Sequence, residues 1–140
     1  MECSFLQANE KELVSSLEEV FGKGNVEVHE EGASLIGYHG DDRSKLEENS
    51  RDYAPPCHIV VRRKNVGTAA NDIGYRRNSE GGYTAYISDY DRRSTFTQKK
   101  RDQVKQSYAV SVTEKQLQRK GYTVSKRVEG KKVVLEVKKW

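Results

Sequence analysis

The chain has 140 residues, of which 34% are hydrophobic and 33% charged. This length is typical of a single domain with one hydrophobic core. The sequence contains no apolar run of the roughly 18 residues that a membrane-spanning helix needs. The N-terminal residues lack the pattern of a secretory signal, and Cys3 and Cys57 match no disulfide framework. A cytoplasmic protein with free thiols is therefore expected.

The charges are divided unevenly along the chain. Residues 1–56 hold 5 Lys/Arg and 13 Asp/Glu, a net charge of −8. Residues 57–140 hold 20 Lys/Arg and 8 Asp/Glu, a net charge of +12. This asymmetry predicts either a bipolar surface or an acidic segment packed beside a basic face. A scatter of solvated charges with no such organisation is the alternative.

A helix and two strands are predicted in the acidic half. Asn9 is a suitable N-cap for the helix, and Gly22 is a suitable end. Apolar residues recur at helical spacing between them: Leu13, Val14, Leu17, Val20 and Phe21. Alternating residues then predict a strand over 26–28, and an apolar run predicts a second strand over 34–38, with a hairpin turn at 30–32 between them.

The middle of the chain reads as a long loop followed by strands. Residues 39–56 are polar and charged, which predicts an exposed loop. The β-branched run within 57–63 predicts a central strand. Further strands are predicted over 73–75 and 83–87, and the residues 78–82 between them have turn composition.

A long helix and a hairpin complete the prediction. The helix covers 98–120, with Val104, Tyr108, Val112 and Lys115 on one stripe. A hairpin follows over 122–138. The order predicts one α+β domain over 1–140: an antiparallel β-sheet of about five to seven strands with two α-helices packed on one face.

Several short motifs occur along the chain in a recognisable order. They include Gly37-Tyr38-His39-Gly40-Asp41, His58-Ile59-Val60-Val61-Arg62-Arg63-Lys64, Asn71-Asp72-Ile73-Gly74-Tyr75-Arg76-Arg77-Asn78, Gly82-Tyr83-Thr84-Ala85 and Gly121-Tyr122-Thr123-Val124. In order and spacing they resemble the hypothetical chloroplast reading frame thirty-five family, a domain-of-unknown-function family of cyanobacteria, plastids, other bacteria and phages. The resemblance implies a compact soluble protein of a cytoplasm, a plastid stroma or, for a viral member, a host cytoplasm. It carries over no catalytic residue.

The residue types of enzyme sites are present but not in catalytic patterns. Cys57 and His58 are adjacent on a predicted strand, so their side chains are expected on opposite faces. The histidines and the Asp41-Asp42 pair match no metal-ligand spacing. No catalytic residue, metal site or cofactor is therefore predicted.

Basic pairs at strand ends, with neighbouring tyrosines and a turn, are the strongest functional signal. The candidate partner-binding residues are Arg62, Arg63, Lys64, Asn71, Asp72, Tyr75, Arg76, Arg77, Tyr90, Arg92 and Arg93. Asn71-Asp72 also has a structural reading, as the turn that begins a strand. These residues favour a non-catalytic interaction or adaptor module that docks on a larger protein. The alternative is a basic nucleic-acid-associated protein that binds RNA or DNA through phosphates and stacked bases. A small-ligand binder or an enzyme is a third hypothesis.

Overall fold

The computed structural model describes residues 5–130 and 132–139. Its helices are α1 (Glu10–Phe21), α2 (Arg63–Val66), α3 (Asp89–Ser94) and α4 (Gln98–Arg119). Its strands are β1 (Val26–Ala33), β2 (Cys57–Val61), β3 (Ile73–Arg77), β4 (Tyr83–Tyr86), β5 (Tyr122–Glu129) and β6 (Lys132–Lys139). The α+β class and the antiparallel pairing agree with the prediction. Two short helices, α2 and α3, were not predicted.

The strands form two sheets rather than the single sheet that was predicted. The first has the order β1-β2-β3-β4, and the second contains only β5 and β6. Residues at the start of the chain pair with the outer edge of β4, where Tyr83 N donates to Phe5 O at 2.9 Å. The hairpin instead packs beside α4. The single sheet of five to seven strands is therefore corrected to four strands plus two.

Strand β1 continues through the position where a hairpin turn was predicted. Val28 pairs with Ile59 and Ala33 pairs with Cys57, with a shift of register between them. Gly32 lies within this stretch at a φ of +87°, which a bulge requires and a residue with a Cβ rarely adopts. The predicted strand over 34–38 is reduced to one bridge between Ile36 and Asp42. The glycine therefore bends one strand and does not join two.

One face of the four-stranded sheet carries the main core. The stripe predicted for α1 is buried there, with Leu13 and Leu17 fully inaccessible. From α4, Val104 and Tyr108 pack into the same cluster. Asn9 precedes α1 as predicted, but its side chain does not cap the helix. It bonds the Tyr108 hydroxyl and the Lys115 ammonium, so it joins α1 to α4.

The opposite face of the sheet is covered by the segment between β1 and β2. Leu35 and Ala54 from this segment form a small core with Cys57 and Val60. Arg43, predicted to lie in an exposed loop, is only 2% exposed and donates to the backbone oxygens of Asp52 and Asp72. The polar segment 39–56 is therefore partly a cover over apolar side chains. None of the described helices is long and apolar enough to cross a membrane.

Candidate functional site

A buried hydrogen-bond network surrounds the carboxylate of Asp72 at the entry to β3. Asp72 is 1% exposed. Its Oδ2 accepts from Ile36 N at 2.8 Å and from Arg62 Nη1 at 2.9 Å, and its Oδ1 accepts from Arg63 N at 2.7 Å. A buried carboxylate needs such partners because it has lost its contact with water. Asp72 thus fixes the covering segment against the end of β2, and its side chain does not reach the surface.

Asn71 extends this network to helix α3. Its Oδ1 accepts from Tyr38 N at 2.8 Å, and its Nδ2 donates to Asp91 Oδ2 at 3.2 Å. Asp91 is fully buried and also accepts from Ser88 Oγ at 2.7 Å. The Ser88 hydroxyl in turn accepts from Asp91 N and begins α3. These contacts agree with the predicted structural role of Asn71-Asp72 at the start of a strand. The sequence did not predict that Ser88 and Asp91 take part in the same network.

Two of the predicted binding arginines pair with carboxylates of the same chain. Arg62 pairs with Glu27 at 3.1 Å as well as with Asp72. Arg77 pairs with Glu10 at 2.9 Å and Glu30 at 3.3 Å. Hydrogen bonds to these two glutamates raise the pKa of Arg77. An acidic segment does therefore pack beside basic side chains, as one reading of the charge asymmetry predicts.

The other predicted basic residues near β2 and β3 are Arg63, Lys64 and Arg76, and they have fewer contacts within the chain. Arg76 Nη1 donates to Pro56 O at 2.5 Å. Arg63 and Lys64 are exposed at the start of α2, and the Arg63 guanidinium lies 5.9 Å from the centre of the Tyr38 ring. That distance allows a cation–π contact.

Two basic clusters converge around α3 and the first half of α4. We call this the α3–α4 basic surface, formed by Arg92, Arg93, Lys99, Lys100, Arg101 and Lys105. Arg101 Nη1 donates to Arg92 O at 3.2 Å, which brings the two helices together. Burial and the neighbouring charge of Arg92 lower the pKa of Arg101. Within residues 5–130 and 132–139, none of the six side chains forms an ion pair with a carboxylate.

The two tyrosines predicted to stack on a partner occupy different environments. Tyr90 lies on α3 and is 43% exposed. Tyr75 is 3% exposed, and its ring packs edge-on against Phe5. The prediction of a surface stacking site at Tyr75 is therefore corrected, because a stacked base needs an open ring face.

Cys57 and His58 do not form a nucleophile–base pair. Cys57 is fully buried, and burial raises the pKa of its thiol to about 12. His58 Nδ1 accepts from Arg77 N at 3.0 Å, on the side of the strand near Glu10 and Glu30. Over the described part of the chain, no group of three metal-ligating side chains is found.

A family model described as a protein of unknown function, DUF1257, matches residues 25–137. The chain belongs to the DUF1257 family. The matched region begins beside β1 and includes the Asp72 network, the α3–α4 basic surface and most of the terminal hairpin. Membership confirms the predicted relation to a domain-of-unknown-function family. No curated protein and no solved structure matches this DUF1257 chain.

Proposed function

We propose that this DUF1257 chain is a non-catalytic interaction module that docks on an acidic face of a larger protein through its α3–α4 basic surface. The supporting observation is the contrast between the two groups of cations. Arg62 and Arg77 are neutralised by glutamates of the same chain, whereas the α3–α4 side chains have no ion pair in the described residues. A cluster of unpaired cations attracts an acidic partner and steers its approach.

The chemistry of Cys57 and His58 supports a binding role over a catalytic one. A nucleophilic cysteine requires a thiolate, and burial holds the Cys57 thiol in its protonated form. The nitrogen His58 Nδ1 is already an acceptor for a backbone amide of β3. The Cys57-His58 pair therefore contributes to the packing and hydrogen bonding of the sheet.

Capture experiments with charge-reversal variants test the docking surface. The chain is immobilised and exposed to a native lysate at low salt, because added salt screens contacts between exposed charges. Arg93→Glu combined with Lys100→Glu reverses two exposed charges of the α3–α4 surface. Lys11→Glu combined with Lys23→Glu makes the same change elsewhere on the exposed surface.

We expect the first variant to lose a protein that the parent chain and the second variant both retain. Treatment of the lysate with nuclease should leave that protein bound. Equal retention by both variants, or retention of no protein by the parent chain, would contradict the proposed function.

One observation favours RNA or DNA as the alternative partner. Tyr90 and Arg93 are three residues apart on α3, so an exposed ring and an exposed guanidinium share one side of the helix. A stacked base and a phosphate could occupy them together. The measurement is binding to generic RNA and DNA over a series of salt concentrations. A partner nucleic acid gives an affinity that falls steeply with salt, and absence of binding at low salt removes this alternative.

A further inference from the structure

A cavity of about 330 Å³ lies between the β3–β4 part of the main sheet and the first half of α4. Its apolar lining includes Phe5, Tyr83 and Val104. We call it the β4–α4 cavity. Its volume is at the small end of the range for cavities that hold organic ligands. Neither the docking proposal nor the family match assigns it a role.

Three cationic side chains line this cavity: Arg92, Arg101 and Lys105. No carboxylate is among the described residues that line it, and the nearest acidic residue on α4, Asp102, is exposed and accepts from Gln98 Nε2. Like charges that share a confined space repel each other, and a bound anion removes that repulsion. The local charge therefore selects an anion over a cation or a neutral molecule.

The three cations differ in how they are held. Arg101 is fixed by donation to the backbone oxygens of Phe96 and Arg92 and to Gln98 Oε1. The Arg92 guanidinium and the Lys105 ammonium have no hydrogen bond to the described residues. One cation is thus preorganised, and two retain donors for an incoming oxyanion.

The hydroxyl of Tyr75 adds a hydrogen-bonding group to the same cavity. Tyr75 is 97% buried, and its hydroxyl forms no hydrogen bond with the described residues. None of the fully buried polar side-chain atoms in those residues lacks a partner, so this hydroxyl keeps contact with solvent. It is within electrostatic range of Arg92 and Arg101, and the residue lines the cavity. The hydroxyl is therefore free to donate to an oxygen of a ligand.

We propose that the β4–α4 cavity binds a small molecule that carries a phosphate or carboxylate group on an apolar body of about one ring. The oxyanion contacts Arg92, Arg101 and Lys105, and the ring lies against Phe5 and Val104. The Tyr75 hydroxyl donates to an oxygen of the ligand. The cavity shares Arg92, Arg101 and Lys105 with the α3–α4 basic surface. The docking test reverses the charges of Arg93 and Lys100, which do not line the cavity, so either proposal can fail while the other holds.

Calorimetric titration with four probes tests the site. Phenyl phosphate and benzoate carry the two oxyanions on a ring, inorganic phosphate lacks the ring, and benzyl alcohol lacks the charge. We expect saturable binding of at least one of the two ring anions, with binding of inorganic phosphate at least about tenfold weaker and none of benzyl alcohol. Preference between phenyl phosphate and benzoate identifies which oxyanion the cavity takes.

Two substitutions assign the binding to this cavity. Tyr75→Phe removes only the hydroxyl, and Arg92→Gln removes a charge that has no ion-pair partner among the described residues. Each substitution should lower the affinity for the ring anion about tenfold, which is the usual effect of losing a hydrogen bond to a charged group. Arg119→Gln is the matched control, since Arg119 is exposed, does not line the cavity and lies outside the α3–α4 basic surface. The affinity of this variant for the probe should stay within about twofold of the parent value.

Circular dichroism establishes that each variant is folded, and if one is not, the other carries the test. Absence of saturable binding by both ring anions overturns the proposal. Equal affinity of the parent, Tyr75→Phe and Arg92→Gln chains overturns it as well.

Discussion

At the scale of single residues, the buried carboxylate of Asp72 has the largest predicted effect on stability. Replacing Asp72 with Asn keeps the shape of the side chain but leaves the Arg62 charge without this partner. The NH2 group of the new asparagine can only donate, so it would face one of the existing donors: Ile36 N, Arg63 N or Arg62 Nη1. That pair of donors would have no acceptor between them. We expect Asp72→Asn to lower the free energy of unfolding by about 3 kcal/mol.

Urea unfolding measures this change. Asp102→Asn removes the same charge from an exposed side chain and should change the free energy by less than about 0.5 kcal/mol. Similar values for the two variants would show that the Asp72 network contributes little.

The thiol of Cys57 gives the fold a dependence on alkaline pH. Burial raises its pKa to about 12 in the folded chain, whereas an unfolded cysteine ionises near about 8.5. The contribution of the protonated thiol is therefore complete below about pH 8.5 and is lost as the pH rises towards the folded pKa. Between about pH 8 and pH 10, the parent chain should lose about 1–2 kcal/mol relative to Cys57→Ala.

This difference is measured by chemical unfolding of both proteins at each pH. The comparison cancels the lysines, the tyrosines and Cys3, which are common to both chains. A difference that stays constant with pH would mean that the thiol ionises equally in the folded and unfolded states.

At the scale of secondary-structure elements, Gly74 allows the covering segment to approach the sheet. A Cβ at this position would lie 2.7 Å from Cys57 Cβ and 2.8 Å from Leu35 Cδ2. Gly74→Ala should therefore lower the free energy of unfolding by about 1–3 kcal/mol through overpacking.

A double-mutant cycle tests this cause. Leu35→Ala removes one of the two obstructing side chains, so the double variant should be less destabilised than the sum of the single changes. Strict additivity would show that Gly74 is required for another reason.

The elements that could be predicted are those specified by local patterns. Helix α1 and strand β2 were predicted correctly from the apolar stripe of the helix and the β-branched run of the strand. In both cases the spacing of the apolar residues alone indicates which face is buried. Gly32 reads as a turn locally, and only its position between two residues paired with β2 shows that it forms a bulge. The prediction placed the hairpin β5–β6 in the main sheet because the residues of a strand do not indicate which distant strand it will pair with.

The same limit applies to the functional residues. The basic clusters are visible in the sequence, but the glutamates that neutralise Arg62 and Arg77 come from β1 and α1. The convergence of Arg92 with Arg101 depends on the turn at Phe96, which is fully buried between α3 and α4. Arg43 reads as solvated because its partners, two backbone oxygens, leave no sequence signal.

At the scale of the whole molecule, the hairpin β5–β6 is separate from the main core. None of the side chains described as buried in the two core clusters belongs to it. We expect a chain that ends after Lys120 to retain a cooperative thermal transition, although at a lower temperature because the hairpin no longer covers α4. Calorimetry makes the measurement, and a broad transition without a heat-absorption peak would show that the hairpin is part of the folding unit.

The segment over the second face of the sheet has a practical consequence for protein engineering. Its composition resembles the long polar loops that are routinely shortened to encourage crystallisation. Here such a deletion would remove Arg43, Leu35 and Ala54. The face of the sheet that carries Val60 would then be exposed to solvent. We expect the shortened protein to self-associate through this exposed apolar surface. Truncations intended to aid crystallisation should therefore be made elsewhere in the chain.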